Sequence, residues 1–323
     1  MRVLVTGATG FLGQHLTRAL RARGNEVVAL GRDRAKLDQL SRLGCEPLAH
    51  DLASGPPQLT GSLDACVHAA ALSSPWGTDT AFRRANIDGT RHALALARSA
   101  GVKRFVQISS PSVYFRFADQ IAVAETSGLP DPVNAYARTK RAAEDLVLDA
   151  AELDPVILRP RGLYGAGDTA LLPRLLRAAE RGPLPLMRGG GAVTDLTHVE
   201  DVVSAILTAL DAPPRPAQRL FNISGGQALA IREIVESAAA RHGVTVRWRA
   251  LPVPLVLAAA RMAETGCARL PGRPEPPVTA YGVGLFAFSQ TLDLSAARKV
   301  LGWQPQIGFS EGLDRTFAGV AAA

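Results

Sequence analysis

The sequence predicts an α/β protein with a doubly wound parallel sheet and a smaller, interleaved C-terminal domain that would bind substrate. Short apolar runs of strand length alternate with amphipathic helices through the first half, a pattern typical of a parallel sheet covered on both faces. A glycine-rich turn joins the first strand to the first helix. With 323 residues, 47% of them hydrophobic, the chain is long enough to bury a sizeable core.

The apolar spacing gives each element of the first half in order. Strands are predicted where a run is continuously apolar, and helices where apolar residues recur every three or four positions. The strands are Val3–Val5, Val27–Leu30, Ala65–Val67, Phe105–Ile108 and Pro155–Leu158, and the helices are Leu12–Arg23, Ala35–Leu43, Phe82–Ala100 and Ala135–Ala151. Right-handed crossovers between such strands produce a doubly wound sheet.

The composition changes after about residue 165. Prolines become frequent there, and we expect shorter helices and longer loops. We therefore predict a first domain over residues 1–165 and a second over 166–323, with elements near 193–224 that return to the first sheet.

The formal net charge of +7 comes almost wholly from arginine, since only four of the 36 basic residues are lysines. The arginines are scattered among apolar residues, which indicates solvated helix faces rather than a nucleic-acid partner. Three cysteines are too few for a disulfide framework or a zinc site, so we expect no metal and a reducing, cytoplasmic setting. No targeting segment is visible. The longest apolar stretch, Leu251–Ala260, is too short for a membrane span, which leaves only peripheral contact open.

The turn after the first strand carries glycines at positions 7, 10 and 13. Between a strand and a helix, glycines allow a tight turn, close approach of the backbone to a pyrophosphate and close helix packing. The free N–H groups at the helix N-terminus favour phosphates. We therefore predict a Rossmann dinucleotide site formed by Gly7, Thr9, Gly10, Phe11, Leu12 and Gly13. The alternative is a turn whose glycines serve packing alone.

The end of the second predicted strand indicates which dinucleotide binds. An NAD-selective site places a carboxylate there, against the ribose 2′-OH, whereas this chain has Gly31 followed by Arg32. Glycine leaves room for a 2′-phosphate, and a guanidinium binds phosphate well, so we predict NADP(H) in preference to NAD(H). Asp33 keeps NAD(H) open, because a small backbone shift would bring it to the ribose.

Tyr136 and Lys140 are four residues apart at the start of a predicted helix, so the phenol and the ammonium share a face. A nearby ammonium would lower the pKa of Tyr136 and make it usable as an acid or base. Ser110 follows the predicted strand Phe105–Ile108, whose C-terminal end faces the cofactor crevice. A serine at that place can hydrogen-bond a substrate oxygen.

With these motifs together, the sequence resembles the extended branch of the short-chain dehydrogenase/reductase superfamily over essentially its whole length. Further matching stretches are Asp51-Leu52, Ala69-Ala70-Ala71, Asn86 with Gly89-Thr90, Leu158-Arg159-Pro160 and Leu163-Tyr164-Gly165. The resemblance implies that Tyr136 is the acid/base, that Lys140 binds the nicotinamide ribose, and that Ser110 orients the substrate oxygen.

The same resemblance implies several supporting roles. Asn86 would hold a water relay, Asp51 and Leu52 would lie on the adenine side, and the alanines Ala69, Ala70 and Ala71 would line the path of the ribose and nicotinamide. Pro160 and Leu163 would also contact the cofactor. A homodimer would form through the predicted helices Phe82–Ala100 and Ala135–Ala151. Phe115 and Ala166 replace the family's glycine and proline near the expected substrate mouth.

Within that branch, the apolar and proline-rich second half resembles the 3β-hydroxysteroid dehydrogenase-like group, which includes 2-alkyl-3-oxoalkanoate reductases. The resemblance implies hydride transfer between NADP(H) and a secondary alcohol or ketone on a bulky apolar substrate, sterol-like or 3-oxoalkanoate-like. Two alternatives stay open: a nucleotide-sugar epimerase or dehydratase, and a non-catalytic NADP sensor or nucleic-acid binder.

Overall fold

A computed structural model describes residues 1–318 of the chain. The strands are β1 Arg2–Thr6, β2 Glu26–Gly31, β3 Glu46–Ala49, β4 Ala65–His68, β5 Arg104–Ile108, β6 Gln120–Val123, β7 Pro155–Pro160, β8 Leu163–Tyr164, β9 Leu184–Leu186, β10 Val193–Thr194, β11 Thr197–His198, β12 Leu220–Ile223, β13 Leu229–Ala230, β14 Trp248–Ala250 and β15 Gln290–Leu292. The α-helices are α1 Phe11–Ala22, α2 Arg34–Arg42, α3 Asp79–Phe82, α4 Gly89–Ser99, α5 Ala135–Asp149, α6 Leu172–Arg181, α7 Val199–Asp211, α8 Ile231–Arg241, α9 Val253–Arg269, α10 Ala280–Ala287 and α11 Phe309–Phe317.

Seven parallel strands form the central sheet, in the order β12-β7-β5-β4-β1-β2-β3. The five predicted strands all lie in this sheet, which confirms the predicted fold class. The edge strand β3 was not predicted, because it is mostly exposed and has no apolar run. The strand order reverses between β1 and β4, and in such sheets ligands bind outside the carboxyl ends of the strands at that point.

Helices cover both faces of the central sheet. Alternate residues of a strand point to opposite faces, so Val3 and Val5 join one core and Leu4 joins the other. The first core contains side chains of α1, α2 and α7, and the second contains side chains of α4 and α5. Trp303, near the end of the chain, is also buried in the first core.

The structure corrects two predictions about helices. The predicted long helix Phe82–Ala100 is present, but it begins earlier, at Asp79, and contains a π-helical turn at Arg83–Asp88 between α3 and α4. The expectation of shorter helices after residue 165 fails because α9, with 17 residues, is the longest of the described helices. Its prolines do not break it, since Pro252 is the N-cap and Pro254 lies in the first turn, where the missing N–H would have no helical partner.

The second half forms smaller sheets and a helical layer. The strands β13, β10, β15 and β6 make a four-stranded sheet, while β12 pairs with β7 in the central sheet and accounts for the expected return near 193–224. The boundary at residue 165 stays a prediction, since β6 comes from the first half. Within residues 1–318, no helix combines the length and the apolar character needed to cross a bilayer.

Candidate active site

The glycine turn between β1 and α1 has no space for side chains. A Cβ at Gly7, where φ is +69°, would lie 2.8 Å from the Ala70 nitrogen, and a Cβ at Gly13 would lie 2.2 Å from the Gly7 carbonyl oxygen. Gly10 is the N-cap of α1, and no side chain caps this helix end. The backbone N–H groups at the start of α1 therefore lie next to a turn without side chains at its glycines. This arrangement fits the pyrophosphate of a dinucleotide.

The loop after β4 is fixed at both ends, and this fixes the predicted cofactor path along Ala69, Ala70 and Ala71. At one end, the Thr6 hydroxyl accepts from the Ala70 N–H at 3.2 Å. At the other, the Leu72 N–H donates to Asn86 Oδ1 at 2.7 Å. The Ala69 N–H also donates to the Thr6 carbonyl at 3.2 Å, so hydrogen bonds hold the three-alanine segment on both sides and place only small side chains beside the glycine turn.

His68, at the end of β4, belongs to the scaffold. Its two ring nitrogens lie 2.7 Å from the Thr6 hydroxyl and 3.0 Å from the Thr90 hydroxyl. Burial, with a smaller contribution from the Lys140 charge, lowers the pKa of His68 to about 3. A neutral ring with both nitrogens engaged holds β1, β4 and α4 together.

Asn86 lies in the π-helical turn with its side chain fully engaged. Besides accepting from Leu72, it donates from Nδ2 to the Leu72 carbonyl at 3.2 Å and to the Thr139 hydroxyl at 3.0 Å. Its backbone carbonyl accepts from the Thr90 hydroxyl. This geometry joins the loop after β4 to α5; the water relay implied for Asn86 stays a prediction.

Ser110 and Tyr136 meet at the carboxyl end of β5. Ser110 caps the 3₁₀ turn Pro111–Tyr114 by accepting from the Ser112 N–H at 3.2 Å. Tyr136 is the second residue of α5, a helix capped by Asn134, whose Oδ1 accepts from the Ala137 N–H. Burial raises the pKa of Tyr136, and a side-chain hydrogen bond with Ser110 partly offsets that rise. The expectation that the Lys140 charge lowers this pKa is therefore wrong, because burial dominates.

Lys140 is almost fully buried one turn further along α5. Its ammonium donates to the carbonyl oxygen of Ile108, the last residue of β5, at 2.6 Å. Burial lowers the pKa of Lys140 to about 8, and the Glu144 carboxylate acts in the opposite direction. The structure therefore brings Ser110, Tyr136 and Lys140 to one edge of the sheet.

The predicted 2′-phosphate site lies at the end of β2. The Arg32 side chain is 78% exposed, and its guanidinium lies 3.9 Å from the Asp51 carboxylate. Asp33 caps α2 by accepting from the Lys36 N–H at 3.1 Å, so its carboxylate already has a partner. Packing also requires a glycine at position 31, which the sequence did not show. A Cβ there would lie 2.6 Å from the Thr9 side chain.

The remaining predicted cofactor residues are spread along the same edge. Asp51 caps a short 3₁₀ turn through the Ala53 N–H at 3.0 Å, and Leu52 is buried in the second core. Leu163 pairs with Thr197 in a two-stranded sheet. Pro160 ends β7 and lines the cavity described next.

A cavity of about 170 Å³ opens beside Ser110. Its walls are mostly apolar, and most of their apolar side chains come from the second half of the chain. They include Leu171, Leu175, Leu196, Ile231, Ile234, Val235, Leu285 and Phe286, with Tyr281, Thr194 and Arg161 as polar members. The sequence did not single out Arg161 or Tyr281. The position of Arg161 directly after Pro160 was the only available signal for it.

The two departures from the family lie elsewhere than expected. Phe115 is buried behind the cavity, where its ring packs edge-on against Tyr281 with centroids 5.1 Å apart. It therefore supports a cavity wall, rather than the mouth. The Ala166 carbonyl lies 2.9 Å from His15 Nε2 of α1, so Ala166 lies near the glycine turn.

Comparisons with known proteins show the family of the chain. The profile of the NAD dependent epimerase/dehydratase family matches residues 3–224. The chain is 33% identical to 2-alkyl-3-oxoalkanoate reductase of Stenotrophomonas maltophilia, covering 100% of both chains. It is also 33% identical to 4-hydroxy-2-methyl-3-oxo-4-farnesyl-3,4-dihydroquinoline-1-oxide ketoreductase of Stigmatella aurantiaca, covering 97% of this chain and 95% of that one.

A solved structure extends the comparison to the fold. MoeE5 in complex with UDP-glucuronic acid and NAD is 29% identical, with a TM-score of 0.76, and the match covers 100% of this chain and 99% of that chain.

Proposed function

The chain belongs to the NAD dependent epimerase/dehydratase family, and from that premise we propose that it is an oxidoreductase that interconverts a secondary alcohol and a ketone on a bulky apolar substrate. The observation that carries the proposal is the mostly apolar cavity that opens beside Ser110, whose hydroxyl is close enough to Tyr136 to offset part of the rise in its pKa. Two relatives named as reductases of a 3-oxoalkanoate and of a farnesylated ketone support it.

The proposed chemistry gives each residue one task. Bound NAD(P)H supplies the hydride that adds to the carbonyl carbon. Ser110 and Tyr136 donate hydrogen bonds to the carbonyl oxygen, and the Tyr136 phenol transfers its proton to that oxygen as the alcohol forms. Because burial raises the pKa of Tyr136, the phenol keeps its proton until it is needed. Lys140 would bind the nicotinamide ribose, as the resemblance implies.

The glycine turn would hold the pyrophosphate through the backbone N–H groups at Thr9, Phe11 and Leu12. The fit rests on the absence of space for any Cβ at Gly7 and Gly13 and on the uncapped start of α1. Ala69, Ala70 and Ala71 would line the path from there to Tyr136.

We propose NADP(H) as the preferred cofactor. Arg32 is exposed at the end of β2 with only a distant carboxylate, while Asp33 is engaged as a helix cap. Arg32→Ala should lower the preference for NADPH over NADH by about 10-fold or more, since a charge-assisted contact to phosphate is lost. Arg34→Ala, a neighbouring exposed arginine, serves as the control. If the ratio of kcat/KM with NADPH to kcat/KM with NADH is unchanged in Arg32→Ala, Arg32 does not select NADP(H).

A nucleotide-sugar epimerase or dehydratase is the second candidate, favoured by the likeness to MoeE5, which was solved with UDP-glucuronic acid and NAD. The two phosphates of a sugar nucleotide are best held by several basic groups, whereas the lining of this cavity holds one arginine. A cofactor-coupled screen of apolar ketones and alcohols against UDP- and dTDP-sugars separates the candidates. Turnover of the apolar compounds is the expected result, and turnover of sugar nucleotides alone would refute the proposal.

Two surface properties belong to the proposal as well. We propose a homodimer formed through α4 and α5, which light scattering would test and a monomer at micromolar concentration would refute.

We also propose peripheral contact with lipid through α9, where Leu255 and Met262 are exposed beside Arg261. Cosedimentation with anionic vesicles checks this, and no binding above the level of a Leu255→Ser/Met262→Ser variant would contradict it. We also propose a cytoplasmic location, which the low number of cysteines favours.

A further inference from the structure

Arg161 is a buried arginine on the wall of the substrate cavity. Only 7% of the residue is exposed, and it lines the cavity together with Ser110. Its Nε and Nη2 donate to the Thr194 hydroxyl at 3.0 and 2.8 Å, and its Nη1 donates to Gln290 Oε1 at 2.5 Å. These contacts fix the plane of the guanidinium at the point where β7 leaves the central sheet.

The partners of this guanidinium are all neutral. The carboxylate that influences it most is Asp195, which accepts hydrogen bonds from the Leu292 N–H and the Ser224 hydroxyl and, within residues 1–318, makes no salt bridge to Arg161. Burial of a charge without a directly paired counter-charge is costly, and here burial lowers the pKa of Arg161 more than the nearby Tyr281 and Asp195 raise it. The cost indicates that the charge serves a partner outside the described chain.

Arg159, two residues earlier on β7, shows how this chain compensates a structural arginine. It is equally buried, yet it forms a two-pronged pair with the Glu144 carboxylate at 2.7 and 2.5 Å and also donates to the Tyr114 hydroxyl. The chain therefore supplies a carboxylate for the arginine that faces the core. For the one that faces the cavity, the only carboxylate of the described residues that acts on it is Asp195, which forms no direct pair with it and is held by Leu292 and Ser224.

A guanidinium has five N–H donors, and three of them are used by Thr194 and Gln290. One donor remains on each terminal nitrogen, so the guanidinium can still donate two hydrogen bonds to a carboxylate. Apart from Arg161, the cavity walls carry few polar groups. A ligand with an apolar body and one carboxylate matches both features.

We propose that Arg161 binds the carboxylate of an acidic apolar substrate and so determines which hydroxy or oxo acids reach Ser110 and Tyr136. The inference deepens the proposed function and rests on it. The two reductase relatives divide on this point, since one is named for an alkanoate and the other for a farnesylated quinoline oxide whose name includes no acid. Arg161 places this chain with the first.

The test compares an acid with a neutral ligand of equal chain length on the full chain saturated with NADP⁺. Calorimetric titrations with octanoate and 1-octanol should show octanoate binding about 10- to 100-fold more tightly, the range expected for hydrogen bonds to a charged group. Arg161→Gln should remove this preference, and Arg161→Lys should restore part of it. Arg177→Gln, at an exposed position on α6, should leave the preference unchanged.

If the wild-type protein binds octanoate and 1-octanol equally well, the proposal is overturned. This result needs no variant, so it does not depend on whether Arg161→Gln folds. A preference that survives in a folded Arg161→Gln variant also overturns it. Oxidation of 3-hydroxyoctanoate and of its methyl ester is then followed by NADPH formation, with a matching loss of preference for the acid expected in Arg161→Gln. If neither compound turns over while acid binding still depends on Arg161, hydride transfer on such substrates is refuted and the assignment of Arg161 stands.

Discussion

Lys140 donates its ammonium hydrogen to the Ile108 carbonyl and is buried beside the Glu144 carboxylate. The sequence pattern indicated correctly that Tyr136 and Lys140 lie on one face of α5. It could not show that burial would raise the pKa of the Tyr136 phenol, because burial depends on contacts between distant parts of the chain.

The lowered pKa of Lys140, about 8, predicts a pH dependence. An exposed lysine keeps its charge up to about pH 10, whereas this one loses it as the pH rises through about 8. We therefore expect kcat/KM for ketone reduction to be constant below about pH 7.5 and to fall above pH 8, because the neutral amine no longer attracts the cofactor or assists proton transfer. Initial rates with NADPH from pH 6 to 10 measure this. A profile that stays flat to pH 10 would contradict the assignment.

Single residues also mark where the sequence was insufficient. Arg161 and Tyr281 reach the cavity from β7 and α10, which are 120 positions apart in the chain. Neither has a local pattern that distinguishes it from an ordinary surface or core residue, so only the folded structure reveals their shared position. The glycines at 7, 10 and 13 were predictable because their requirement is local to one turn.

At the level of elements, the helical segment from α3 to α4 contains a π-helical turn that the sequence did not predict. The apolar spacing over 82–100 predicted one continuous helix, but the π-helical turn at Arg83–Asp88 inserts extra backbone into it. This turn lets Asn86 reach both the loop after β4 and Thr139 of α5. Such an insertion leaves little trace in a pattern of apolar residues, because the periodicity resumes on either side.

The helix α10 gives a stability prediction. A Cβ at Gly284 would lie 2.6 Å from the tip of the buried Phe115 ring, and overpacking of this kind costs about 1–3 kcal/mol. Gly284→Ala should therefore lower the free energy of unfolding, although alanine favours a helix by about 1 kcal/mol. Urea denaturation measures the change.

The matched control is Gly266→Ala in α9, where a Cβ would meet nothing within 4 Å, so this substitution should stabilise the protein. Phe115→Leu combined with Gly284→Ala should recover most of the loss. Equal effects of the two glycine substitutions would show that Phe115 does not limit the space at α10.

At the scale of the whole molecule, the charge balance now has a structural description. Many surface arginines pair with acidic residues of the same chain, such as Arg98 with Glu152 and Arg188 with Asp119. These pairs neutralise part of the surface charge, and they accord with the expectation that the scattered arginines lie on solvated surfaces. Arg32 has only the distant Asp51 carboxylate and Arg161 forms no salt bridge within residues 1–318, and both lie in the proposed ligand sites.

The sequence predicted more of the overall architecture than of the substrate site. Alternating apolar strands and helices are a local signal, and they predicted five of the seven strands of the central sheet as well as its doubly wound class, with β12 expected among the returning elements. The second half was predictable only in outline, because its strands are short and its longest helix, α9, exposes apolar side chains. The cavity arises where the two halves meet, so no single segment could predict its lining.

The central claim is that Tyr136 transfers the proton while a ketone on an apolar substrate is reduced. Tyr136→Phe removes only the phenol oxygen, so the cavity and the glycine turn should persist. With the ketone that wild-type protein reduces fastest, we predict that kcat falls by about 10²- to 10⁴-fold, while the dissociation constant for NADPH, measured by fluorescence titration, changes less than twofold. Retention of kcat within about threefold of wild type would contradict the account.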